Sequence, residues 1–233
     1  MITLFRKIAY RLREYTSLKE RVHTIYANQL LHPVLQGSQF LPVTSSSLSL
    51  HTLLAIANDA VVNQRKKMVE FGSGTSTIVM ARLVKYNQLP LQLISIDHDP
   101  GWLQTLGEIL EREGLRTYVS LVAAPMAPSA FSVAGNLWYD PAALAEADLQ
   151  GADLVLVDGP YSHQQANKQA RYGALPFIRP LLADRFTLVL DDTNRKGEQQ
   201  VARRWEKEFG IRLVRMNDSS SYYTQGPYWN FLI

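Results

Sequence analysis

Acidic side chains recur where short apolar runs stop. Glu70 lies in "VEFGSGTST", Asp97 closes "LQLISID", Asp158 closes "ADLVLVD", and Asp191 with Asp192 closes "LVLDD". A carboxylate in such a place can accept hydrogen bonds from both hydroxyls of a sugar diol. Gly72 and Gly74 follow Glu70 directly and form a turn that brings bare backbone close to a ligand. Three ligands compete for a turn of this kind: a nicotinamide dinucleotide, a phosphate, and a nucleoside such as S-adenosylmethionine.

Spacing separates them. A dinucleotide fingerprint needs G-x-G-x-x-G, its third glycine allowing close helix–strand packing, but position 77 is threonine. A phosphate loop needs Gly-Lys-Ser/Thr after a longer spacer, and that is missing. What remains is acid-x-G-x-G. The methionyl end of S-adenosylmethionine carries an ammonium and a carboxylate beside a sulfonium, and a backbone turn over an acid suits that mixture. Glu70, Phe71, Gly72, Ser73, Gly74 and Thr75 are therefore the first cofactor candidates. Asp97 lies 27 residues beyond Glu70, past the ~20 typical of a dinucleotide site, and its strand-end position suits a ribose. Asp99 is the better cap for a helix opening at Pro100, and His98 is expected to lie along the cofactor.

Elements must hold these residues in place. Strands are expected at Met68–Phe71, Leu91–Asp97, Tyr118–Ala123, Asp153–Asp158 and Phe186–Asp191, with helices at about 75–87, 100–113, 162–183 and 195–209. A further helix follows the serines of "TSSSLSLHTLLAIANDAVV". Such alternation argues for a parallel sheet with helices on both faces, whose ligands sit beyond the carboxyl ends of the strands. "IRLVRM" and "YWNFLI" have no helix between them and suggest a closing antiparallel hairpin. Residues 125–151 fit no element.

Taken in order, "VEFGSGTST", "ISIDHDPGW", "ADLVLVDGPY", "RYGALPFIRPLL" and "LVLDDTNRKGE" resemble the class I S-adenosylmethionine-dependent methyltransferases. The resemblance is strongest to the bacterial group laid out like the catechol-type O-methyltransferases, and it runs from about Ser46 to the C-terminus. It implies a three-layer Rossmann-like α/β fold with a seven-stranded, mainly parallel sheet whose last strand is antiparallel. The expected division is an N-terminal helix and linker over 1–44 and a methyltransferase domain over 45–233. In the catechol-type relatives an Asp, Asp, Asn set holds Mg²⁺, which orients two substrate oxygens. By position the resemblance places such an ion on Asp158, Asp191 and Asp192, with Asn194 nearby; Mg²⁺ prefers hard oxygen ligands and lowers the pKa of a bound hydroxyl. Where many relatives carry an acid for the adenine amino group, this chain reads "LVAAP", leaving backbone around Ala123 and Ala124 to hold the base.

The acceptor side is less defined. Asp158 is a candidate catalytic residue as well as a cofactor neighbour, and His163 is the best-placed general base, since histidine titrates near neutral pH. Trp138, Tyr139 and Asp140 are candidates for the acceptor pocket or anchors for the 125–151 insert. Arg171 is positioned to meet either an anionic acceptor or Asp158. The expected reaction is O-methylation of a small molecule or glycan-type acceptor. "DGPY", Asp158 to Tyr161, is one residue from the D-P-P-Y signature of enzymes that methylate exocyclic amines, which gives N-methylation as the alternative. A non-catalytic cofactor-binding member of the fold is a third reading.

Charge and composition narrow the partners. The net charge is +3, but residues 1–31 hold six Lys/Arg against two Glu, and the rest carry 18 basic and 19 acidic residues. The body is thus slightly acidic, which argues against a nucleic-acid substrate. The basic segment reads as a helix with one apolar stripe, Leu4, Ile8, Leu12, Tyr15, Leu18, Val22 and Ile25. That stripe is expected to pack on the body or on a second copy, with peripheral contact to anionic lipid as the alternative. No cysteine is present, which excludes disulfides, cysteine-ligated zinc and thiol catalysis. The N-terminus makes a poor export signal, so a cytoplasmic location is expected.

Overall fold

The computed structural model describes residues 2–133, 135–162 and 167–233; His163 lies outside them. Strands β1 (Lys67–Phe71), β2 (Gln92–Asp97), β3 (Val119–Ala123), β6 (Ala152–Val157) and β7 (Leu182–Leu190) are parallel. They join β8 (Val214–Arg215) and β9 (Ser221–Gln225) in one sheet of order β3-β2-β1-β6-β7-β9-β8. β9 runs antiparallel to both β7 and β8. The insert after β3 adds a two-stranded ribbon, β4 (Met126–Ala127) with β5 (Trp138–Tyr139), and a short helix α5 (Pro141–Leu144).

Helices cover both faces because the strands are apolar on both. Met68, Leu93, Leu154, Leu156 and Val189 pack towards α2 (Leu50–Val62), α3 (Thr75–Asn87) and α4 (Pro100–Arg112). Val69, Phe71, Ile94, Ile96, Val155, Val157, Leu188 and Leu190 pack towards the insert, α6 (Ala174–Ile178) and α7 (Lys196–Phe209), where Trp205 is fully enclosed. The first crossovers lie on one face and the later ones on the other, so the order in which strands are added reverses between β1 and β6. Ligands in open parallel sheets sit outside the carboxyl ends at that reversal.

Three expectations need correction. The single helix over 162–183 is broken: its described part is a 3-10 turn at Ala170–Gly173, then α6, then a second 3-10 turn at Arg179–Leu181. Pro176 and Pro180 lack the donors a longer helix needs, and a Cβ on Gly173 would meet the Trp138 ring at 2.6 Å. The closing hairpin pairs 214–215 with "SYYTQ", not with "YWNFLI". That last segment has no ladder; it buries Phe231 against Tyr222, and Asn58 Nδ2 donates to the Phe231 carbonyl at 3.2 Å.

The third correction concerns α1 (Ile2–Leu35). Of its apolar stripe, the side chains of Leu4, Ile8, Leu12 and Tyr15 lie outside those described, while Leu18, Val22 and Ile25 are 60%, 54% and 61% exposed, so this described part of the stripe does not pack on the body. The inward residues are Ala27, Leu31 and Val34, against α2 and α3. Buried Arg82 of α3 finishes the helix, its Nη1 donating to the carbonyls of Val34 (3.2 Å) and Leu35 (2.7 Å). Its other guanidinium nitrogens grip Glu113, beyond the end of α4. No described helix is long and apolar enough to cross a membrane.

Candidate active site

Gly72 leaves β1 with φ +95°, a conformation that side chains resist. A Cβ there would stand 2.6 Å from the Gly159 nitrogen, and one on Gly159 would stand 2.5 Å from Tyr139 Oη. The loops after β1 and β6 therefore touch backbone to backbone, extending the sheet through the Asp158 amide donating to the Phe71 carbonyl at 2.9 Å. Gly74 differs. A Cβ there meets nothing within 4 Å, so no protein atom demands a glycine at the mouth of α3.

Around this turn lies a cleft of two connected hollows, about 270 and 390 Å³, sharing Ser46, Ser47, Ser73, Trp102 and Asp158. Asp97 is at its floor. The Ser73 amide (3.0 Å) and hydroxyl (3.2 Å) donate to Asp97 Oδ2, and the Asp99 amide donates to Oδ1 at 3.0 Å. Burial pushes the Asp97 carboxyl up, but the close contact with His98 and the amides of Asp99 and Ser73 outweigh it and hold it below the usual range. His98 lies with Nδ1 3.1 Å from Asp97 Oδ1, and its pKa is raised chiefly by that carboxylate. Asp99, not Asp97, caps α4, accepting from the amides of Gly101 and Trp102.

Not every cofactor candidate reaches the cleft. Glu70 is buried beneath the turn, accepting from the hydroxyls of Ser76, Thr77 (2.5 Å) and Ser95 (2.7 Å). Burial raises its pKa, against those three donors. It braces the start of α3 rather than facing a ligand. Phe71 is a core side chain among Trp138, Tyr139 and Phe177, and Ala124 is enclosed at the end of β3. Thr75 does line the cleft, its hydroxyl donating to the Pro42 carbonyl at 3.0 Å.

Other lining residues escaped the sequence reading. Trp102 forms a wall and donates from Nε1 to the Ser73 carbonyl at 2.9 Å, fixing the turn. Its only signal was its place two residues past Pro100. Ser45 to Ser47 look like cap residues in sequence, yet Ser49 caps α2 and the earlier serines line the cleft. Tyr139, by contrast, was a candidate from sequence and does line the cleft; its Oη is buried there without a hydrogen-bond partner, and burial raises its pKa well above the ordinary value.

Asp158, Asp191 and Asp192 converge as expected, each offering an oxygen within 4.8 Å of the others. Arg171, 4% exposed, sits among them. Its Nη2 is 3.2 Å from Asp158 Oδ1; its Nη1 is 3.0 Å from Asp192 Oδ2 and donates to the Asp191 carbonyl at 3.1 Å. Arg195 also pairs with Asp192 Oδ2, at 2.7 Å, and the Ser220 hydroxyl donates to Asp191 Oδ1 at 2.5 Å. Burial pushes the Asp158 carboxyl up to about 8; Arg171 opposes that rise, and Asp191 and Asp192 add to it. Oxygen chemistry alone would suit Mg²⁺, but one oxygen of each acid is already engaged by a guanidinium or a hydroxyl. As arranged, these residues do not fit the ion. Asp192, at φ +59°, does not cap α7 with its side chain, whose N-cap position is Arg195.

The sequence profile described as "Methyltransferase domain" matches residues 69–193, more than half of the chain. The chain belongs to that methyltransferase family. Its fold is the Rossmann-like class I arrangement, also found in solved structures of low identity. An SAH-bound methyltransferase of Podospora anserina is 14% identical, with 95% of this chain and 96% of that one covered and a TM-score of 0.57. The O-methyltransferase TomG of Streptomyces achromogenes, solved with SAM, is 14% identical over 81% and 93% of the two chains, with a TM-score of 0.54. An O-methyltransferase of Bacillus cereus in complex with SAH is 14% identical over 87% and 89%, with a TM-score of 0.52. No curated protein matches this methyltransferase by sequence.

Proposed function

We propose that this methyltransferase transfers a methyl group from S-adenosylmethionine to a hydroxyl oxygen of a small-molecule or glycan-type acceptor. The reading rests on one observation: Ser73 and Gly74, Asp97 and Asp158 border the same cleft at the reversal of strand order. The cradle fits the cofactor. Gly74 leaves open the space a side chain would fill, and each Asp97 oxygen, with its protein donors satisfied, still has accepting capacity for a ribose diol.

When bound, S-adenosylmethionine supplies an electrophilic methyl on its sulfonium. The chain's own part is to hold acceptor oxygen and donor in line, which supplies much of the rate in a displacement. Trp102 and Tyr139 wall the cleft. Asp158, across from the turn, receives the proton that the acceptor hydroxyl gives up. Amine methylation through "DGPY" gains nothing here. Gly159 is fixed as glycine by Gly72 and Tyr139, and the hollow holding Asp158 is lined by five aspartates against two arginines, a poor surface for a nucleic acid.

Asp97→Ala tests the assignment. Titration calorimetry with S-adenosylhomocysteine is expected to show at least a tenfold weaker Kd, corresponding to about 1.4 kcal/mol or more. An unchanged Kd in a folded variant removes the ribose role.

A further inference from the structure

The catechol-type resemblance places a divalent cation where this chain places a guanidinium. We propose that Arg171 stands in for that cation, so that methyl transfer here is metal-independent. The inference rests on the methyltransferase reading of the cleft and concerns how its acidic wall is neutralised.

Arg171 bridges the ends of two strands. One prong reaches Asp158 after β6, and the other reaches Asp192 and the Asp191 carbonyl after β7. Its Nε lies 4.0 Å from buried Glu198. A guanidinium is a planar fork suited to joining carboxylates that face it from different directions. A Mg²⁺ ion instead needs its ligands drawn to about 2.0–2.1 Å in an octahedron. Placed among these acids it would meet the fixed positive charge of Arg171 at close range.

Arg171 is also anchored. The turn that carries it is held on one side by Gln169, whose amide donates to Asn136 Oδ1 at 2.9 Å. On the other side Trp205 Nε1 donates to the Tyr172 carbonyl at 3.0 Å, and Gly173 lies under the Trp138 ring. Withdrawing the guanidinium would disturb that packing. Four acids, Asp158, Asp191, Asp192 and Glu198, surround Arg171, and Arg195 adds a second cation on Asp192 alone. Arg171 is a positioning residue: its Nη2, 3.2 Å from Asp158 Oδ1, fixes the direction of that carboxyl at the wall of the cleft.

The test is a metal titration that needs neither cofactor nor acceptor. Protein stripped with EDTA is titrated with Mn²⁺ while free Mn²⁺ is read by electron paramagnetic resonance. Wild type is expected to show no stoichiometric site tighter than about 1 mM, at the weak end of protein sites for hard cations, and Arg171→Met is expected to gain one. A one-to-one wild-type site that Asp191→Asn abolishes overturns the proposal. So does a folded Arg171→Met protein that gains no site. If that variant does not fold, the wild-type titration decides alone. S-adenosylhomocysteine binding in the same samples reports separately on the methyltransferase assignment.

Discussion

Alanine at the two glycines of the turn should have opposite effects. At Gly72 the new Cβ meets the Gly159 nitrogen at 2.6 Å and its Cα at 2.9 Å, and φ is +95°. Left-handed backbone costs a non-glycine residue about 1–2 kcal/mol. Forcing two backbones apart adds about 1–3 kcal/mol. Gly72→Ala should therefore lose about 2–5 kcal/mol, which at 2–4 °C per kcal/mol for a domain of this size lowers Tm by roughly 4–20 °C. At Gly74 the backbone is extended and the added methyl enters open space. Losing a glycine N-cap and stiffening the unfolded chain nearly cancel, so Tm should move by no more than about 4 °C. The methyl does occupy the cleft. Gly74→Ala should keep its stability yet bind S-adenosylhomocysteine at least about tenfold more weakly, close to 1.4 kcal/mol. Scanning calorimetry and binding titration on both variants are the assays. A Gly74→Ala protein that binds like wild type refutes the cradle, and a Gly72→Ala protein as stable as wild type refutes the loop contact.

Two further outcomes follow from buried charge. Glu70 keeps its proton to a higher pH folded than unfolded, so between those two pKa values the native state binds more protons and its stability falls as pH rises. Glu70→Gln lacks this slope; urea midpoints from pH 4 to 8 should show wild type losing ground to the variant with rising pH, and parallel curves would contradict it. Arg82→Met strands Glu113 and the last carbonyls of α1. Breaking a buried pair in this way should cost about 3–5 kcal/mol in denaturant unfolding, with faster amide exchange across residues 31–35; unchanged exchange there would show that α1 does not depend on Arg82.

The strand ends were legible because a parallel strand buried on both faces is a plain apolar run, and an acid ending it stands out. Asp97, Asp158, Asp191 and Asp192 were all found in this way. Glu70 looked the same in sequence, but it lies one residue before the end of β1, and that shift turns its side chain inward to three hydroxyls. Periodicity marked α1 as a helix, but of the partners offered for its stripe the body is not the one that Leu18, Val22 and Ile25 meet. The outward residues Leu18, Val22 and Ile25 are as apolar as the inward Leu31 and Val34, so hydrophobicity alone did not separate the two faces. Arg171 could be placed only near the acids. Its position among all three depends on the short turns that Pro176, Pro180 and the Trp138–Gly173 contact impose, and those are tertiary facts.

The segment joining α1 to α2 does more than connect. Pro42 and Ser47 are fastened to Thr75, and Ser45 to Ser47 border the space where the cofactor is proposed to lie. One edge of the pocket is thus borrowed from the extension, while the rest comes from the sheet. A chain trimmed to begin at α2 would retain every strand and lose that edge of the pocket.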